Sequence, residues 1–223
     1  MTEQGQLAGR HVVVTGADGA LGRAVVPALR AEGANVSGLG RTGGEFSVDL
    51  SDPGQVEAAL AAARARHGDV FGLVHLAGGY RAGSVLETSA AELEGMVRLN
   101  LFLAAEMVRQ VLPDMLRAKS GRIIGIGAFA AVKASANQAA YNASKAALTS
   151  YLRSLAEEVK GAGVSVITLL PTTLDTPANR RAMPDADAGR WVKTPRLAQL
   201  IADLLKEAGS ELNGAEIAVR GRL

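Results

Sequence analysis

Tyr141-Asn142-Ala143-Ser144-Lys145 places a phenol and a primary amine four residues apart. On a helix, positions i and i+4 share a face, so the two groups stand one turn apart and point the same way. A free phenol titrates near ~10, too high for proton transfer at neutral pH. A neighbouring ammonium favours the phenolate and lowers that value. The pair therefore reads as a proton donor or acceptor for a carbonyl, an alcohol or an imine. Alone, Y-x-x-x-K is also the spacing of an ordinary amphipathic surface pair, and the rest of the chain has to decide between the two.

A second cluster lies near the start. Thr15-Gly16-Ala17-Asp18-Gly19-Ala20-Leu21-Gly22 follows a β-branched run and enters a helical stretch. Glycines at Gly16, Gly19 and Gly22 allow a tight turn, close approach of backbone to a pyrophosphate and close helix–strand packing. The helix start, with Ala20 and Leu21, supplies free N–H groups and the positive end of the dipole. A glycine-rich turn without a ligand is the bland alternative. Many NAD-binding chains carry an acid at the end of the second strand, on the adenosine ribose hydroxyls. Here that place holds Gly40, followed by Arg41. A missing carboxylate and an added guanidinium suit a 2′-phosphate, so NADP(H) is the preferred cofactor and NAD(H) the alternative. Asp18 counts against NADP(H) if it faces inward. Asp49 and Leu50, after a third short strand, are candidates for the adenine edge; Asp49 reads equally as a helix cap.

The elements that must position these groups alternate along the whole chain. Strands are expected at Arg10–Thr15, Asn35–Leu39, Phe46–Asp49, Val70–Leu76, Arg122–Ile126, Val164–Leu170 and Ala215–Val219. Helices are expected at Ala20–Glu32, from Asp52-Pro53 to Arg66, over Ser89–Arg117 as one long or two abutting helices, at Ala139–Lys160, and from Thr194-Pro195 to Ala208. Asp52 before Pro53 is a cap followed by a first-turn proline. Such alternation implies an α/β fold, a Rossmann-type doubly wound parallel sheet with helices on both faces. Residues 1–223 read as a single dinucleotide-binding and catalytic domain. Only 172–194 is long and irregular, as a substrate lid would be; Trp191 within it argues for order.

Composition narrows the function. Hydrophobic residues make up 48% of the chain, yet no apolar run is long enough for a bilayer span, so no membrane role is expected. The opening Met1–Gln6 is polar and does not read as a secretory signal. With no cysteine, disulfides, thiolate metal sites and cysteine nucleophiles are excluded, which fits a cytoplasmic protein; no metal is expected. The net charge of +2 is scattered and aromatics are few, which argues against a nucleic-acid surface.

In this order and spacing, the pieces resemble the short-chain dehydrogenase/reductase family across nearly the full chain. The matching residues are the glycine turn, Asp49, Ala77-Gly78-Gly79, Asn100, Tyr141 with Lys145, Pro171 to Thr176, and Asn213-Gly214. The resemblance implies that Tyr141 is the proton donor and that Lys145 holds the nicotinamide ribose and acidifies the tyrosine. It also implies that Asn100 binds a water linking the lysine to solvent, and that Thr176 bonds the nicotinamide carboxamide, with Pro171 and Leu174 beside it.

The departures carry information too. The glycine spacing is G-x-x-G-x-x-G rather than the family's commoner G-x-x-x-G-x-G. His75 stands where many members have asparagine, and reads as a strand-end residue rather than a catalyst. The family's catalytic serine, thirteen residues before the tyrosine, is Ala128. Gly127 offers no substitute, and Ser135 lies in the intervening loop. Deleting one donor from an oxyanion site costs about 2.7–4 kcal/mol of transition-state stabilisation. Such a site suits an electron-poor acceptor, a quinonoid or iminium ring, better than a plain ketone. A narrower resemblance, to dihydropteridine reductase-like members, rests on Gly19–Gly22, Ala77–Gly79 with the aromatic Tyr80, Leu170–Arg180, Met183–Asp187 and Trp191. Those members also lack the serine. Their implied acceptor is a quinonoid dihydropterin, with Tyr80 stacking on it. They differ in carrying an acid at the place of Gly40 and in lacking Asn100.

These readings point to an NAD(P)H-dependent reductase of a small molecule, with hydride transfer to an activated C=N or C=O and Tyr141 as proton donor. Ala128, Asn179, Arg180 and Trp191 join Tyr80 as candidate substrate contacts under the lid, though Arg180-Arg181 reads equally as a solvated pair. The rival is a catalytically silent NADP(H)-binding sensor or scaffold. Leu148, Tyr151, Leu152 and Leu155 give the helix after Tyr141 a sheet-facing stripe and part of a packing face. In the family this helix and the long one before it form a dimer interface, so a homodimer or homotetramer is expected.

Overall fold

The computed structural model describes residues 6–222. The polar opening read as non-secretory falls almost wholly outside them. Seven strands form one parallel sheet in the order β3-β2-β1-β4-β5-β6-β9. They are β1 His11–Thr15, β2 Asn35–Gly40, β3 Phe46–Ser47, β4 Gly72–His75, β5 Gly121–Ile126, β6 Val164–Pro171 and β9 Glu216–Val219. The helices are α1 Gly22–Ala31, α2 Pro53–His67, α3 Ala90–Val97, α4 Leu103–Ala118, α5 Ala139–Glu158, α6 Pro177–Ala182 and α7 Thr194–Leu205.

Strand β1, His-Val-Val-Val-Thr, is buried throughout, as a strand covered on both faces must be. Successive side chains alternate between two cores. Val13 packs with Leu73, Ile123 and Val166 under α2, α4 and α5. Val12 and Val14 pack with Ile124 and Ile167 under α1 and α7. The chain leaves β1 toward β2 on one side and returns to β4 on the other. The strand order therefore reverses at β1/β4, and the crevice above those C-terminal ends is where such sheets bind ligands.

Several expected boundaries move. Helix α1 opens at Gly22, two residues later than Ala20, because the glycine turn takes up the difference. β3 stops at Ser47, before Val48-Asp49. β4 starts at Gly72, since the Val70 N–H goes to the Asp114 carboxylate rather than to a strand. The stretch Ser89–Arg117 is two α-helices joined without a break by a π-helical turn, Arg98–Phe102. α7 ends at Leu205, and a 3₁₀ stretch, Glu207–Leu212, covers the rest. Nor is 172–194 irregular throughout. β7 Leu174–Asp175 pairs in parallel with β8 Val192–Lys193, and α6 lies between them. Asp52 caps α2 as expected, accepting from the Gly54 and Gln55 N–H groups.

Candidate active site

The glycine turn is built for close backbone approach. Gly16 has φ +65°, and a Cβ there would sit 3.0 Å from the Ala77 nitrogen, so the ends of β1 and β4 touch. A Cβ on Gly22 would sit 2.2 Å from the Gly16 carbonyl oxygen, so the start of α1 rests on the turn itself. Thr15 fastens the seam, its Oγ1 accepting from the Leu76 and Ala77 N–H groups at 3.2 Å each. Its own proton is then left for His75 Nδ1, 3.0 Å away. Burial pushes His75 down to about 3, so it is a neutral strand-end residue as read from the sequence. Leu21 is buried in the core beneath the turn, while Gly19 and Ala20 are exposed. Among the described residues, the Ala20 and Leu21 N–H groups have no backbone acceptor. A cradle of this kind, with free N–H groups at a helix start, fits a dinucleotide pyrophosphate.

At the end of β2 the premise for NADP(H) changes. No side chain leaves Gly40, yet a carboxylate stands there. Asp18 reaches across from the glycine turn, and its Oδ2 accepts from Thr42 N–H at 3.0 Å and Thr42 Oγ1 at 2.9 Å. Burial opposes ionisation of Asp18, but the Thr42 bonds outweigh it and, with nearby Arg41, hold the carboxyl below its ordinary range. The Arg41 side chain is exposed. Asp49 spends its Oδ1 on Ser51 N–H and Oγ, and Leu50 is buried in the core. Leu50 thus turns into the core, while Asp49 is exposed and keeps Oδ2 without a partner among the described residues.

The catalytic candidates converge where α5 meets the ends of β4 and β5. Tyr141 and Lys145 occupy the first two turns of α5, whose buried stripe runs Ala140, Ser144, Leu148, Leu152. Lys145 is 6% exposed and donates from Nζ to the Ile126 carbonyl at 2.7 Å. Burial lowers it to about 8. Tyr141 moves the other way, pushed up to about 12 by burial and then by Tyr80. The expected acidification of the phenol by the ammonium is thus not built into the chain alone, because burial and Tyr80 raise the phenol instead. Asn100 sits in the π turn and is fully buried. Its Oδ1 accepts from Gly79 N–H at 3.0 Å, and its Nδ2 donates to the Gly79 carbonyl at 3.1 Å and to Ser144 Oγ at 2.9 Å. Both amide protons are spent on the protein, so the side chain clamps the β4 turn to α5 rather than presenting a donor to water. A Cβ on Gly78 would meet Asn100 Oδ1 at 2.6 Å and Lys145 Nζ at 3.4 Å, which is why glycine stands at that crossing.

Tyr80 is 59% exposed, and its ring lies edge-on to Tyr141, centroids 5.0 Å apart. Ala128 is buried just past β5. A side chain on Gly127 would meet Leu170 at 2.6 Å and Thr149 Oγ1 at 3.0 Å, so the position beside Ala128 is packed as glycine. Pro171 closes β6, and the lid is stapled at its base. Asp175 pairs with Arg180 at 2.6 Å and Lys193 at 2.7 Å, and Arg180 stays exposed in that pair. Thr176 Oγ1 caps α6 by accepting from Asn179 N–H and keeps its own proton to donate. Asn179 Nδ2 donates to the Leu174 carbonyl at 2.8 Å, so its amide holds the base of the lid. Trp191 is 5% exposed and lines a cavity of about 480 Å³ with Leu197, Leu200, Val219 and Gly221, apart from the catalytic cluster. Asn179 and Trp191 are thus engaged in the lid's own base and in this second cavity. Sequence reading missed Ser144, the Ile126 carbonyl, Thr15, and the Asp18–Thr42 contact. The last had a signal: an acid absent from one side of the crevice and present on the other. Among the described residues no helix is long and apolar enough to cross a membrane, and no cluster of potential metal ligands forms.

The family model described as short chain dehydrogenase matches residues 10–187. A 3-oxoacyl-acyl-carrier-protein reductase of Salmonella typhimurium is 30% identical over 235 residues, covering 96% of each chain. A D-threitol dehydrogenase of Mycolicibacterium smegmatis is 29% identical over 97% of this chain and 93% of its own. Among solved structures, a 3-ketoacyl-(acyl-carrier-protein) reductase from Brucella melitensis complexed with NADH is similar at a TM-score of 0.86 and 25% identity, over 97% of this chain and 99% of that one. On the matched family and the cradle that fits its nucleotide, this chain belongs to the short-chain dehydrogenase family and is an NAD(P)-dependent oxidoreductase.

Proposed function

We propose that the chain reduces an activated C=O or C=N group, in a small carbonyl or a quinonoid ring such as a dihydropterin, with Tyr141 as proton donor. The observation that carries this is the crossing at Gly78, where Asn100, Lys145 Nζ and the β4 turn meet beside Tyr141. A nicotinamide held over this crossing by Lys145 and the β4 turn would supply the hydride. Tyr141, neutral at any physiological pH, holds the proton for the acceptor atom. Lys145, lowered to about 8, is mostly charged at neutral pH and loses its proton readily. Its ammonium would hold the nicotinamide ribose, and the phenolate left on Tyr141 would regain its proton from solvent. Asn100 keeps the β4 turn and α5 in register. Tyr80 offers an exposed aromatic edge to a flat acceptor. Residues 177–194 cover the substrate, braced by Asp175. The missing hydroxyl at Ala128 favours acceptors that need little polarisation. Exposed Phe102 and Leu116, beside and on α4, support self-association through that helix into a homodimer or homotetramer.

The test is a panel of quinonoid dihydropterin, quinones, diketones, cyclic imines and plain ketones, each with NADH and with NADPH. Consumption of reduced nucleotide should be at least about tenfold faster on activated acceptors than on plain ketones, given the lost donor. Equal rates on plain ketones would contradict the substrate reading. Tight binding with no turnover on any acceptor would favour the silent sensor, which the engagement of Lys145 by Ile126 otherwise suits.

A further inference from the structure

Gly40 ends β2 without a side chain, and the space beside it is filled from elsewhere. A Cβ on Gly40 would lie 2.6 Å from both Cγ and Oδ1 of Asp18 and 2.3 Å from the Gly43 carbonyl oxygen. Any residue larger than glycine would expel the carboxylate. Asp18 is held there by two donors, Thr42 N–H and Thr42 Oγ1, both on Oδ2. Its backbone is fixed as well, since Arg23 Nε donates to the Asp18 carbonyl at 3.0 Å. Oδ1 accepts no hydrogen bond from any other described residue, and it lies on the Gly40 side. One oxygen is thus anchored and one left free, at the end of the strand beside the switch point.

We propose that Asp18 is the carboxylate that receives the adenosine ribose hydroxyls, delivered from the glycine turn instead of from β2, and that it makes this chain select NAD(H) over NADP(H). The inference rests on the reading that a pyridine nucleotide lies over the glycine turn. A carboxylate with a free oxygen accepts from a vicinal diol in short charge-assisted bonds. A 2′-phosphate in the same place would meet that oxygen as a like charge, at contact range and partly shielded from water. Arg41 does not reverse the balance. Its side chain is exposed, makes no ion pair among the described residues and faces two carboxylates, Asp18 and Asp49. The guanidinium that suggested NADP(H) is therefore already partly neutralised.

Calorimetric titration of the full chain with NADH and with NADPH gives both dissociation constants without turnover. The wild type should bind NADH at least about tenfold more tightly than NADPH. Asp18→Ser should weaken NADH about tenfold, the loss of hydrogen bonds to a charged group. It should also tighten NADPH, so that the preference inverts. Asp18→Asn keeps an acceptor for Thr42 and removes the charge, and should lift the NADPH penalty with the fold unchanged by circular dichroism. Equal or tighter NADPH binding by the wild type would overturn the proposal. So would a preference that moves less than about threefold in folded variants. Binding of neither nucleotide would overturn the broader reading, and this one with it.

Discussion

Replacing Lys145 by methionine tests the electrostatics of the site without a substrate. Lys145 is buried, and desolvation lowers it from 10.5 to about 8. That fall corresponds to roughly 3 kcal/mol of disfavour for the folded ammonium at low pH. The sign follows from proton counting. Between about pH 8 and about pH 10.5 the unfolded chain binds more protons than the folded one, so folding stability rises with pH there. Stability from the neutral amine is fully present above the unfolded value and is lost as pH falls through about 8. From about pH 7 to about pH 9.5 this one group should add about 2 kcal/mol to the wild type. Lys145→Met has nothing to titrate and should lack that increment. The absolute stability of the variant is a poor readout, because the Ile126 carbonyl loses its 2.7 Å donor and an unmet buried acceptor costs about 1–3 kcal/mol. The difference between the two pH slopes is free of that term. Urea unfolding at the two pH values, extrapolated linearly, measures it. Parallel wild-type and variant profiles would refute the reasoning and mean that the amine is hydrated in the folded chain.

Reductive turnover should decline as pH passes about 8 and the Lys145 ammonium is lost, a limb absent from the residual activity of Lys145→Met; a flat profile through that range would contradict the assigned role. Asn100→Ala should cost about 2–4 kcal/mol of stability, since it strands the Gly79 N–H and carbonyl together, while Ser144→Ala should cost about 1 kcal/mol; chemical denaturation compares them. Ala128→Ser should raise activity on plain ketones about tenfold to a hundredfold and leave quinonoid reduction within about threefold; no change on either would dispose of the missing-donor argument. Gly22→Ala drives a Cβ to 2.2 Å from the Gly16 carbonyl oxygen and should cost about 1–3 kcal/mol and most nucleotide affinity, read by thermal shift with and without NADH.

What the sequence carried well was local and periodic. Strands β1 and β6 announced themselves as β-branched runs, and α5 set the tyrosine and lysine on one face by spacing alone. The π turn was hidden, because the buried positions Met96, Asn100 and Ala104 step by four through it and read as one continuous helix. β7 and β8 are two residues each, too short for any alternation to register. The surroundings of Asn179 and Trp191 were hidden for a related reason. A polar or aromatic residue in a loop can serve the loop's own packing, and sequence does not say which way it turns. Asp18 shows the same gap at longer range. Its contact with Thr42 spans 24 positions, and only the fold brings the glycine turn against the end of β2. The acid was legible and so was its absence at Gly40, but their exchange of places was not.

The central claim is that Tyr141 delivers the proton to a group being reduced. Single-turnover mixing of the preformed NADH complex with an activated diketone isolates that step for the wild type and Tyr141→Phe. The account predicts a rate constant lower by about 10²–10⁴ in the variant, with the NADH dissociation constant unchanged. A rate within about threefold of the wild type would place the proton donor elsewhere.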